Sequence, residues 1–178
     1  MIQIRQGVFE TNSSSTHSIV VQKKRKPTLP HYLDRHGGFA SYEDGVVTIN
    51  EDNDFGWGWD VLDCWLDRLA YALADLEGEQ RKELIAVLAE HYGIQVAHGY
   101  RDEYWPKKGK CPDYGYVDHQ SYGTLQKMLS ASGISAIDFI FDDRYIVILD
   151  NDNCDNDCYN AYIAKLDVEE EYRKHRWW

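Results

Sequence analysis

Ile2 and Ile4 alternate with polar residues at the start of the chain, and Ile19, Val20 and Val21 form a β-branched run after a polar stretch. Alternation at period two marks a half-buried strand, so residues 1–22 predict two short strands joined by a turn or loop. "KKRKPTLPHY" then breaks the pattern. Pro27 and Pro30 cannot donate to a sheet ladder and the four bases repel one another, which makes 22–36 a basic surface loop. "DGVVTINED", 44–52, predicts a third short strand, and "FGWGW" an aromatic and glycine turn ahead of a helix.

From Asp60 onward, Leu62, Trp65, Leu66, Leu69, Leu73 and Leu76 recur at steps of three and four, the spacing of a helix with one buried face. Asp60 is its predicted N-cap, and Asp63 and Asp67 fall away from the apolar stripe. A second helix after Gly78 carries Leu84, Ile85, Leu88, His91 and Tyr92 on one face and stops at Gly93, giving a helical hairpin. "IQVAHGY" predicts a strand, 100–120 a long aromatic loop, and Ser121 caps a short helix through Leu125, Met128 and Leu129 that ends at Gly133. "SAIDFIF" and "RYIVILD" predict a hairpin turning at Asp142 and Asp143. "DNDNCDNDC" is too polar to pack, and Tyr159, Tyr162, Ile163 and Leu166 fall at helical spacing before a charged tail ending in Trp177 and Trp178. Strands and helices in mixed order predict a single α+β domain over 1–178, a mainly antiparallel sheet with the helical hairpin and further short helices packed on one face. A length of 178 residues suits one domain with its own core.

Charge sharpens this picture. The formal net charge is -11, yet residues 1–36 carry six Lys or Arg against Glu10 and Asp34 alone. Residues 43–79 hold eleven acids and one base, Arg68, a net −10. Such a surface repels nucleic-acid phosphates and attracts basic protein grooves, which argues against direct nucleic-acid binding over most of the molecule; plain solubility is the competing reading. No apolar run reaches the length that spans a bilayer, and the N-terminus lacks the basic and apolar regions of a secretion signal, so the expected location is the cytoplasm, with no membrane partner. In that compartment Cys64, Cys111, Cys154 and Cys158 are expected as reduced thiols or metal ligands.

Candidate chemistry falls in four places. Asn12, Ser13, Ser14, Ser15, Thr16 and His17 form a polar stretch in which a histidine lies close to several hydroxyls. Neither a G-x-S-x-G elbow nor a glycine-rich phosphate cradle surrounds it, so a turn whose hydroxyls satisfy backbone amides is the simpler reading. Asp150 and Asp152 end a hydrophobic run in a D-x-D arrangement, the hard-oxygen pattern that holds Mg²⁺ in phosphoryl-transfer sites; a turn of Asp and Asn needs no metal. A calcium loop would want Gly and Glu where Asp155 and Ala161 stand. Cys111, His119, Cys154 and Cys158 offer a Cys3His zinc set without tight paired spacing. Cys64 and His91 read as core residues, and His31, His36, His98 and His175 show no ligand spacing. Tyr100, Tyr104, Trp105, Tyr114 and Tyr116 interleave with Lys107, Lys108 and Lys110, a composition suited to an interface.

The segment "IRQGVFETNSSSTHSIV" resembles the signature R-x-G-x(4)-N-S-S-S that opens many small proteins of phages and bacteria, and "FGWGW" ahead of an acidic helix is similar to part of that group. Where the group's run is of serine only, this chain has Thr16 and His17. The resemblance implies a phage or mobile-element origin and no mechanism. With the charge pattern, it leads to the expectation of a small acidic protein-binding protein that occupies the basic groove of a host nucleic-acid-handling protein, in the manner of an anti-defence inhibitor or nucleic-acid mimic. Asp52, Asp54, Asp60, Asp63 and Asp67 are the expected contacts, with Trp57, Trp59, Tyr104 and Trp105 as apolar anchors. A divalent-metal phosphoryl- or nucleotide-transfer enzyme using Asp150 and Asp152, and a virion-associated structural protein, are the alternatives. No resident cofactor is expected on the leading reading; Mg²⁺ or Zn²⁺ belongs to the others.

Overall fold

A computed structural model describes residues 4–5, 15–21, 38–50, 53–56, 60–98, 114–117, 124–151, 161–162 and 164. The fold is α+β. One four-stranded antiparallel sheet takes the order β1-β2-β9-β6, from Ile4–Arg5, Ser15–Val21, Tyr145–Asn151 and Asp60–Leu62. A second sheet has the order β3-β4-β7, from Ala40–Glu43, Val46–Ile49 and Gln95–His98. A two-stranded parallel pair joins β5 (Asp54–Phe55) to β8 (Tyr116–Val117).

The third expected strand is one half of a hairpin. Asp44 and Gly45 both take positive φ, 47° and 83°, the backbone that an Asp-Gly turn supplies between antiparallel strands. At β5–β8, Gly115 (φ 112°) is held by a close approach: a Cβ there would stand 2.7 Å from the Asn53 Cβ and 2.9 Å from its carbonyl oxygen.

Two elements differ from the pattern reading. Asp60 is not a helix cap: Asp60, Val61 and Leu62 stay extended because they pair with Leu149, Ile148 and Val147 of β9. The helix α1 starts at Trp65 and runs to Asp75, with Cys64 as N-cap, its Sγ accepting from the Asp67 amide at 3.4 Å. Nor does α1 have a single buried face. Every residue from Trp65 to Asp75 is buried, because α1 lies among β3, β6, β8, α3 and α4. The second difference is "SAIDFIF", which forms helix α4 (Ala136–Phe141) instead of a strand, so no hairpin precedes β9. Ser135 caps it, accepting from the Asp138 amide at 3.0 Å while its hydroxyl donates to Asp138 Oδ2 at 2.7 Å. The Ser135 cap, its hydroxyl held in place by Asp138, fixes the first turn as helical.

Helix α2 (Gly78–Tyr92) buries Leu84 and Leu88 and ends at Gly93 in the left-handed conformation. His91 and Tyr92 are exposed, contrary to the expected core face, because the helix is buried on a narrow stripe only; Tyr92 still stacks on Phe141 at 4.9 Å. Helix α3 (Thr124–Ser132) is anchored by the buried Asp75 carboxylate, which accepts from the Leu125 amide at 2.8 Å. The core gathers Leu62, Leu66, Leu69 and Leu73 with Ile19, Val147, Leu149 and Phe139 around α1. Among the described residues no helix is long and apolar enough to cross a membrane.

The basic loop 22–36 lies outside the described residues, as does the aromatic loop apart from 114–117. Ala161 and Tyr162 are helical; the remainder of the expected C-terminal helix lies outside.

Candidate functional site

Arg68, the one base in 43–79, never reaches the surface. Its guanidinium is 0% exposed and donates to the carbonyls of Phe139, Ile140, Tyr145 and Asp63 at 2.8–3.1 Å, with the Asp143 carboxylate at 3.6 Å. Burial pulls its pKa down from the usual guanidinium range, and Asp143 works in the opposite direction. Glu43, Asp44, Asp54, Asp63, Glu77 and Glu79 are exposed, so 43–79 turns only negative charge to solvent among its described residues. Glu79 pairs with Lys82 at 2.6 Å.

The expected contact acids divide. Asp54 on β5 and Asp63 ahead of α1 are exposed. Asp60 is half-buried on β6, and its carboxyl is held above the usual range by burial and then by the charges of Asp67 and Asp54. Asp67 is not available to a partner: only 8% exposed, it accepts from the Phe39 amide at 2.9 Å and ties the 38–40 turn to α1. The periodicity placed it off the apolar stripe, but α1 is buried all round and β3 covers that side too. The charge of Asp63 and, more strongly, burial push the Tyr162 hydroxyl up to about 12. Asp52, Trp57, Trp59, Tyr104 and Trp105 lie outside the described residues.

Strand pairing brings together two motifs that stand far apart in sequence. The polar stretch is not a turn over its second half: Ser15, Thr16, His17 and Ser18 are in β2, antiparallel to β9. Ser15 pairs with Asn151, Thr16 with Asp150, His17 with Leu149 and Ser18 with Ile148. On the other side of β9, Asp60 also faces Leu149, so His17, Leu149 and Asp60 form one row. The serine stretch and the D-x-D run therefore meet at one end of the sheet, next to the acidic strand β6. Asn12, Ser13, Ser14 and Asp152 lie outside the described residues, as do the zinc candidates Cys111, His119, Cys154 and Cys158. Among the described residues no group of three or more His, Cys, Asp and Glu is placed to hold a metal ion.

Cys64 is a cap and not a plain core residue. Burial, then the Asp67 charge, pushes its thiol up to about 12, which keeps it protonated and unreactive at neutral pH. Arg68 and Asp143 were not singled out from the sequence; the available signal was a solitary base inside an acidic, strongly apolar helix. A groove of about 500 Å³ between α2 and the α3–α4 segment is lined by Leu84, Val87, Leu129, Ile134 and Ile137, and none of the expected site residues lines it. No family model, curated protein or solved structure matches the chain.

Proposed function

We propose that the protein is an acidic binding protein that docks the face around Asp54, Asp60 and Asp63 into the basic groove of a host protein that handles nucleic acid, as an inhibitor of phage or mobile-element origin. The observation that carries this is the burial of Arg68: the one positive charge of 43–79 lies inside, while Glu43, Asp44, Asp54, Asp63, Glu77 and Glu79 are exposed among the described residues of that segment. The carboxyl of Asp60, raised first by burial and then by the charges of Asp67 and Asp54, supports the same reading, because a cationic partner would relieve the repulsion among the three. Trp57 and Trp59, between β5 and β6 in sequence, supply apolar anchors to a contact that charge alone would leave weak. The phage or mobile-element origin rests on the N-terminal signature.

Affinity capture from host lysate identifies the partner, and its association rate is then measured at low and high salt for the wild type and an Asp54→Lys, Asp63→Lys double variant. Both positions are exposed, and because Asp63 also lies near the buried Arg68 the fold of the variant is checked by circular dichroism and thermal melting before its rate is compared. The association rate should fall steeply with salt, and at low salt the variant should lose about tenfold or more. A rate indifferent to salt, or a variant that associates as the wild type does, discards the proposal.

A further inference from the structure

We infer that the groove of about 500 Å³ between α2 and the α3–α4 segment is a binding site for a small aliphatic amine, an apolar chain carrying one cationic end. This rests on the lining of the groove and is independent of the protein-binding proposal. Two helices present matching stripes to it. Gln80, Glu83, Leu84 and Val87 of α2 line one side at positions i, i+3, i+4 and i+7, and Gln126, Leu129 and Ser130 of α3 line the other at i, i+3 and i+4. Residues so spaced share one face of a helix. The volume falls within the ~300–1,000 Å³ of small-molecule sites.

The lining selects by exclusion as well as by fit. Leu84 and Leu129 are buried and Val87, Ile134 and Ile137 half-buried, so the apolar part of the groove is aliphatic throughout. Among the described lining residues there is neither an aromatic ring on which a base could stack nor a basic group to meet a phosphate, which sets nucleotides and other anions aside. Glu83 carries the one charge of that lining, and it is exposed and makes no ion pair with another described residue. Gln80, Gln126 and Ser130, exposed as well, add neutral hydrogen-bonding groups. A carboxylate above an aliphatic floor is the complement of an ammonium on an alkyl chain. The walls are fixed beforehand: Arg81 Nε donates to the Leu76 carbonyl at 2.7 Å near the start of α2, and Tyr92 stacks on Phe141 of α4 at 4.9 Å at its end. Little reordering therefore opposes binding.

The test titrates octylamine, octanol and octanoate, each below its micelle-forming concentration, into the isotope-labelled full chain and follows the amide NMR shifts. Octylamine should move the amides of Leu84, Val87, Leu129 and Ile134 saturably. Octanol should bind about two- to fivefold more weakly, the worth of one exposed charge contact, and octanoate more weakly still. Glu83→Gln, at an exposed position, should bring octylamine to the level of octanol. Attraction by the net charge of the whole chain would survive that substitution, so the variant separates the groove from general acidity. Val87→Trp, which fills the groove, should weaken all three about tenfold or more. Should Val87→Trp fail to fold, Glu83→Gln and the comparison with octanoate carry the decision. An absence of saturable shifts at the groove, octanoate binding as tightly as octylamine, a Glu83→Gln variant that keeps the preference for the amine, or a folded Val87→Trp variant that binds as the wild type does, would each overturn the inference. None of these outcomes touches the salt-dependent association on which the other proposal stands.

Discussion

Cys64 shows how one side chain is bound into the stability of the fold at a particular pH. Its sulfur accepts the Asp67 amide at the start of α1, and Asp67 in turn holds Phe39, so a thiol, a carboxylate and a turn are linked in series. The folded thiol titrates at about 12, above its ordinary value of 9.0. A raised folded pKa contributes stability that is fully present below the unfolded pKa and is lost as pH climbs toward the folded one, so the window is pH 9 to 12. Urea denaturation of the wild type should therefore show a loss above pH 9 that Cys64→Ser, which keeps a capping oxygen, does not share. Cys64→Ala should be less stable than both by about 1 kcal/mol at neutral pH through loss of the cap. None of this was legible in the sequence, because a cysteine next to an apolar stripe reads as filler unless the helix start is known, and Asp60 offered a more conventional cap four residues too early.

At the scale of elements, what decided between helix and strand was which backbone partners were within reach. "DVL" at 60–62 continues a helical spacing into Trp65, yet β9 offers it a ladder, and three residues of pairing override the periodicity. "AIDFIF" is a short apolar run that periodicity cannot assign, and the Ser135 cap, with Asp138 three residues on, was the deciding signal in the sequence. Ser135→Ala should accordingly destabilise the protein by about 0.5–2 kcal/mol in chemical denaturation, while Ser130→Ala, exposed on α3, should change little. Elements with strong local signals were legible: α2 between Gly78 and Gly93, α3 ending before Gly133, and β7 and β9 as apolar runs of the right length. The β3–β4 hairpin was half legible, since the Asp-Gly turn was present in the sequence but Ala40–Glu43 alternates too weakly to announce a strand.

For the whole molecule, Arg68 ties three pieces together, since one guanidinium binds carbonyls from the residue ahead of α1, from α4 and from the start of β9. Arg68→Met would retain much of the buried stem but leave those carbonyls without their donor and the Asp143 carboxylate without its cation, a loss of about 3–5 kcal/mol expected from denaturant midpoints. A cost under about 1 kcal/mol would mean that water or the backbone takes over the guanidinium's role. The α+β class could be read from the alternation of elements, but the strand order could not. That β2 lies beside β9 follows from neither motif, and only the pairing reveals that the serine stretch and Asp150 are neighbours. The same pairing sets a timetable for synthesis. β9 is the central partner of β2, yet it is translated about 130 residues later, which at ~5–20 residues per second leaves β2 waiting roughly 7 to 26 s on the ribosome. For that interval the apolar edge of Ile19 and Val20 has only the two-residue β1 to pair with, and the nascent chain must be shielded until β9 has emerged.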